Sequence, residues 1–124
     1  MSRALLEKEY VAEAAVSAYR IVKAGTTDDL VSTATSSTDK TIGVIEGVAP
    51  ASGERCTVVM DGLADVTYGG TVTRGDLVTS DATGRAVTAA PATGVNARVI
   101  GVARLSGVAG DIGEILIVPS MVQG

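Results

Sequence analysis

The 124-residue chain has no histidine, no tryptophan and no phenylalanine, and it carries a single cysteine, Cys56. Each absence closes a door. Without histidine the commonest general base and the commonest zinc ligand are gone. One cysteine and no histidine leave transition-metal chemistry with almost no donors, and one cysteine rules out an intramolecular disulfide. Cys56 lies in Cys56-Thr57-Val58-Val59-Met60, where it reads as a small buried hydrophobe rather than a reactive thiol. The missing large aromatics mean that the core must be assembled from Val, Ala, Leu and Ile. Side chains of that size bury little area each, at about 25 cal/mol per Å², so self-association is an expected source of extra stability. The formal charge of −4 with ten scattered basic residues argues against a phosphate-binding surface, and nucleic acid is not an expected partner. No apolar run approaches the roughly 18 residues that cross a bilayer, and no signal-peptide pattern opens the chain, so no membrane partner is expected and synthesis is expected in the cytoplasm.

What is present is glycine, fifteen residues of it, spaced between short Val-, Ile- and Thr-rich runs. That pattern predicts an all-β domain, a small barrel or sandwich. The expected strands are Val16–Lys23, Leu30–Ala34, Thr41–Val48, Cys56–Met60, Ala64–Tyr68, Leu77–Ser80, Ala86–Ala89, Arg98–Leu105 and Glu114–Val118. Asp61-Gly62, Gly69-Gly70 and Thr83-Gly84 are among the turn signals. Residues 1–13 differ. Ser2 to Tyr10 is charged and helix-compatible, with Ser2 able to cap, and too short to be stable alone. It reads as an N-terminal arm attached to a single barrel domain at 14–124.

The middle of the chain is also written twice. Val22, Gly25 and Asp29-Leu30-Val31 return as Val72, Gly75 and Asp76-Leu77-Val78. Ile42-Gly43-Val44 returns as Ile100-Gly101-Val102, Gly47-Val48-Ala49 as Gly107-Val108-Ala109, and Gly53-Glu54 as Gly113-Glu114. The repeated positions specify backbone path rather than reactive groups. Two pseudo-repeated halves of a shape-forming protein are the expectation.

Candidate chemistry is thin. Asp28-Asp29 and Asp61 with Asp65 sit where Asp bonds its own turn, and no alternating acidic loop exists for calcium. Ser37-Thr38-Asp39-Lys40 fits a Ser-x-x-Lys pattern but lies in a polar loop without companion motifs. Arg74-Gly75-Asp76 follows from the repeat, and Gly107-x-x-Gly110-x-x-Gly113 lacks the Gly-Lys-Ser/Thr ending of a phosphate loop. Small trimeric β enzymes of the dUTPase type share an echo at Gly43-Val44-Ile45-Glu46, but no tyrosine follows and the C-terminus lacks their glycine-rich aromatic arm. No catalytic residue, metal or cofactor is expected.

The run Gly75-Asp76-Leu77-Val78-Thr79-Ser80-Asp81-Ala82-Thr83-Gly84-Arg85-Ala86-Val87 resembles a Gly-Asp-x-Val-x-x-Asp-Ala-x-Gly segment of tailed-phage capsid cement, or head decoration, proteins. Ile100-Gly101-Val102-Ala103 with Gly107 to Gly113, and the opening Val16 to Lys23, are similar to other parts of that family, so the resemblance spans about residues 14–118. It implies a non-enzymatic virion protein with a small β-barrel or β-tulip protomer, commonly trimeric, docked outside an expanded icosahedral shell. The major capsid protein and further copies of the chain would be its partners. N-terminal arms in that family often add a strand to a capsid sheet. Arg3, Leu5, Leu6, Lys8 and Tyr10 are therefore the expected capsid-binding residues, with the two leucines as apolar anchors. The alternative is a self-associating β-barrel binding module or a small dUTPase-like trimeric enzyme.

Overall fold

The computed structural model describes residues 4–123. Among them lie nine strands and no helix: β1 (Ala4–Ala12), β2 (Arg20–Ala24), β3 (Leu30–Thr33), β4 (Thr41–Ile45), β5 (Arg55–Thr67), β6 (Leu77–Ser80), β7 (Ala86–Thr88), β8 (Asn96–Ala103) and β9 (Ile112–Gln123). They hydrogen-bond in the order β1-β3-β2-β4-β5-β9-β8-β6-β7. A further β1–β5 pairing closes the first five into a small mixed barrel, in which only β1 and β3 run parallel. The protein is an all-β small barrel with extra strands.

Two sequence expectations fail here for identifiable reasons. The helix-compatible N-terminal segment is a strand: β1 pairs antiparallel with β5 from Ala4↔Gly62 to Val11↔Arg55, and parallel with β3 at Val11 and Ala12. A nine-residue helix has little stability of its own. Pairing along β5 while Tyr10 and Ala12 enter the core overrides a weak helical propensity. Residues 4–12 therefore belong to the barrel wall, not to a separate arm. The second failure is Asp61-Gly62, which reads as a turn but is a kink within β5. Gly62 adopts φ +88° and its N–H is accepted by the Asp61 carboxylate at 2.8 Å, yet it still pairs with Ala4 on one side and Ile117 on the other. The two expected strands Cys56–Met60 and Ala64–Tyr68 are one.

That continuous β5 is the hinge of an internal duplication. Reading outward from the β5–β9 pair, the order β4-β2-β3 on one side mirrors β8-β6-β7 on the other. The parallel β1–β3 contact has its counterpart in a parallel bridge between Tyr68, at the end of β5, and Ala86. Loop hydrogen bonds repeat as well. The Val16 amide donates to the Pro50 carbonyl (3.0 Å) as that of Val72 does to Gly107 (2.9 Å). Ala12 donates to Glu54 (2.9 Å) as Tyr68 does to Asp111 (2.7 Å), and Gly25 to Leu30 (2.8 Å) as Asp81 to Arg85 (2.9 Å). The chain is two copies of one β unit sharing a strand.

The register of this repeat differs from the one visible in the sequence. Ile42-Gly43-Val44 and Ile100-Gly101-Val102 are equivalent as expected: each glycine lies where a Cβ would collide with a backbone carbonyl of the next strand, that of Val59 or of Leu116. Before that point, Val16 and Ile21-Val22 correspond to Val72 and Leu77-Val78, whereas Asp29-Leu30-Val31 leads into β3 and has no kinship with Asp76-Leu77-Val78. After it, Gly53-Glu54 corresponds to Gly110-Asp111, with φ +86° and +91° at the two glycines, not to Gly113-Glu114. Identical residues at turn sites do not mark equivalent positions, because glycine and aspartate recur at tight corners.

Each lobe has its own buried cluster. Tyr10, Ala12, Val16, Val22, Val31, Ile45 and their neighbours fill the first barrel, with Ile42 and Met60 half-buried against them. Val66, Tyr68, Val72, Val78, Ile100 and Ile115 fill the second. The second cluster also takes in Ile21, Ala34, Val44 and Val59, which face outward from the first barrel. This is the seam that joins the lobes.

Candidate functional site

Several carboxylates are spent on turns, whereas Asp61 and Asp65, expected in turns, lie within β5. Asp39 accepts the backbone N–H groups of Thr35 (2.7 Å) and Ser36 (3.2 Å) and lies 3.5 Å from the Lys23 ammonium. Asp81 accepts the N–H groups of Thr83 and Arg85 at 2.9 Å each, and the Arg85 guanidinium at 3.0 Å. Partial burial opposes ionisation of both groups, but the donated hydrogen bonds and the adjacent cation outweigh it and hold both carboxyls below the ordinary aspartate range. Asp76 ties the Thr73 amide to the Thr88 hydroxyl, at 2.9 Å each, and Asp111 accepts the Val108 amide at 3.0 Å. Glu54 does the same for Ala51 at 2.6 Å, in the equivalent corner of the first lobe.

The short motifs resolve the same way. Ser37 to Lys40 is a polar turn closed by Asp39, Arg74-Gly75-Asp76 is the corner into β6 with φ +97° at Gly75, and Gly107 and Gly110 lie in the β8–β9 connection while Gly113 is already in β9. Among the described residues no three His, Cys, Asp or Glu side chains gather where they could hold a metal. Cys56 is 5% exposed and burial pushes its thiol up, away from thiolate reactivity. Tyr68 is fully buried and gives its hydroxyl to the Leu105 carbonyl at 2.6 Å; burial, then the charges of Glu114 and Asp76, raise its pKa. A groove of about 570 Å³ opens between Arg20, Thr33 and Thr35 of the first lobe and the Thr83–Arg85 turn of the second, and its Arg85 is already held by Asp81.

The N-terminal residues picked out in the sequence separate into three groups. Leu5 and Leu6 are exposed, at 79% and 53%, the former being the most exposed large hydrophobe among the described residues. Lys8 stands over the Tyr10 ring, 5.0 Å from its centroid, at the open end of the first barrel. Tyr10 itself is 8% exposed, within the core and donating to Met60 Sδ at 3.9 Å, so it is a packing residue and not a docking one. Alternation along the strand turns Tyr10 and Ala12 inward once β1 is paired. Arg3 lies outside the described residues.

Two surfaces had no sequence signal. β3 reaches β1 only at Val11 and Ala12, so the edge of β1 from Ala4 to Tyr10 that faces away from β5 has no strand partner among the described residues. The far end of β9, from Val118 to Gln123, runs past β5 paired only with β8, and exposes Val118 and Met121. Their position depends on strand lengths that only the fold reveals.

No protein-family model and no curated protein matches the chain. Among solved structures, the chain is similar to the crystal structure of the head fiber gp8.5 N base of bacteriophage phi29. The TM-score is 0.68, with 21% sequence identity, over 96% of this chain and 98% of that one. The shared fold extends end to end.

Proposed function

We propose that this chain is a structural protein of a phage head, a decoration or cement protein that binds the outer surface of the icosahedral shell as a trimer and stabilises it. The observation that carries this reading is the end-to-end fold similarity to a phage head fiber base, joined to the decoration-protein resemblance of residues 14–118. The turn-bound carboxylates, the inert Cys56 and the absence of histidine support a non-enzymatic role. The major capsid protein is the partner, and the protein resides on the virion exterior after synthesis in the host cytoplasm.

The capsid contact falls on β1. Its open edge offers main-chain N–H and C=O groups to an added capsid strand, while Glu7, Lys8 and Glu9 keep that edge from indiscriminate pairing. Leu5 is the apolar anchor and Leu6 its neighbour. Because β1 closes the barrel, removing the segment would unfold the first lobe, so the contact must be tested by point substitution. Co-sedimentation of the full chain with expanded capsids lacking it is the experiment. Wild type binds, and Leu5→Asp lowers binding at least tenfold with an unchanged melting temperature. No co-sedimentation of the wild type overturns the reading, and undiminished binding by Leu5→Asp removes β1 from the contact.

A further inference from the structure

The duplication exposes a face in one lobe that it buries in the other. In the first lobe, Val59, Val44 and Ile21 stand in direct cross-strand register, with Ala34 bonded through its amide to the Ile21 carbonyl at 3.0 Å. This outward stripe is 0–3% exposed because the second lobe covers it. The same strands of the second lobe place Leu116, Val102 and Leu77 in the same register, with Ala89 bonded to Leu77 at 2.8 Å, and Leu63 of β5 opposite Leu116 extends the row. Among the described residues no second lobe buries it. Leu77 is 40% exposed, and Leu63, Val102 and Leu116 are half-buried. Residues directly opposite across a sheet share a face, so this is a continuous apolar band across four strands.

The covering surface is duplicated too, with the opposite exposure. Ile100 and Ile117 of the second barrel are 0% and 3% exposed, in the cluster that contains the first-lobe stripe. Their equivalents in the first barrel, Ile42 and Met60, are only half-buried at its open mouth. Lys8 stands at that mouth where the second barrel has the fully buried Ala64, and its aliphatic stem can lie along an apolar partner while the ammonium reaches water. One protomer thus carries both halves of the seam, one uncovered stripe and one uncovered mouth.

We propose that a second copy of this chain sets its Ile42–Met60 mouth on the Leu63–Leu116–Val102–Leu77 stripe, repeating between protomers the contact that joins the two lobes within one. The occupant follows from continuity with the internal interface: the chain already contains a mouth of this build seated on a stripe of this build. Stripe and mouth are different surfaces, so the contact is heterologous and closes into a ring or runs on as a filament. The closed ring is the form that the trimeric part of the functional reading requires, and the proposal rests on that part.

Sedimentation velocity on the full chain, without capsids, tests it. The wild type associates at tens of micromolar, and Leu116→Asp and Ile42→Asp each raise the concentration needed at least tenfold. Oxidative cross-linking keeps the test independent of folding defects: Leu116→Cys mixed with Met60→Cys gives a reducible dimer that neither variant gives alone. A wild type that stays monomeric, aspartate variants of unchanged mass, or cross-linking of Leu116→Cys with itself at equal yield overturns the proposal. Capsid co-sedimentation is measured separately, so a monomer that still binds shells fails this inference and leaves the decoration role standing.

Discussion

The two lobes use one backbone plan and fill it differently. The first barrel places Tyr10 and Ala12 on successive inward rungs of β1, where the second places Val66 and Tyr68 on β5. The large aromatic has moved by one rung and the small residue has moved to compensate. Gly113 makes room in the second barrel, since a Cβ there would strike the Tyr68 ring. The corner after β2 turns on Gly25, while the equivalent corner after β6 turns on Asp81, whose carboxylate supplies the restraint that a side-chain-free glycine cannot. The lesson is that topology and a few close approaches are held constant, and core identity floats as long as volume is conserved.

If that comparison is right, the largest effect belongs to the shared close approaches. Gly43→Ala and Gly101→Ala should each cost about 3 kcal/mol, since the new methyl meets a backbone carbonyl that cannot rotate away. The two losses, read by thermal and denaturant melts, should agree within about 1 kcal/mol. A cheap substitution at one site would break the equivalence of the lobes at its best-matched point.

Next in size is the corner carboxylate. Asp81→Asn should cost about 1–2 kcal/mol near neutral pH by weakening charge-assisted bonds. The sign of its pH dependence follows from a native pKa held below the ordinary 3.8. The ionised form is favoured in the folded state, so the stabilisation is complete well above pH 3.8 and fades as pH falls through the lowered native value. Denaturant melts of wild type and variant should converge at acid pH, while Gly25→Ala, in the corresponding corner, should show a pH-independent loss. Parallel curves for Asp81→Asn would assign its role to shape alone.

The smallest effect sharpens the comparison most. Tyr19 holds φ +59°, and among the described residues it is the sole non-glycine at positive φ. Its equivalent in the second lobe is Gly75 at φ +97°. Tyr19→Gly should change stability by less than about 1 kcal/mol, because relief of a left-handed residue offsets the greater freedom of an unfolded glycine. Gly75→Ala should be clearly destabilising, by about 1 kcal/mol, for want of that relief.

Legibility in the sequence followed how local each signal is. β6 appears at its expected bounds, Leu77–Ser80, because a β-branched run between turn residues has one reading. β1 was hidden, since Leu5, Leu6, Glu7 and Lys8 are good helix formers and only the unseen partner β5 makes them a strand. Leu5 and Leu6 lie on the surface as expected, whereas Tyr10 turned inward, a result of strand parity that cannot be computed for a segment read as helix.

By itself the sequence determined the class of the molecule: all-β, free of histidine and disulfide chemistry, and duplicated. These follow from composition and from residues within a few positions of one another. Tertiary structure alone decided that Asp61-Gly62 bends a strand instead of ending it, that the repeat runs in a different register, and that the N-terminus closes a barrel. It also decided which copy of the apolar stripe is covered. The physical reason is that strand pairing and burial are contacts between distant residues, and an apolar stripe has the same spelling whether a second lobe lies over it or not.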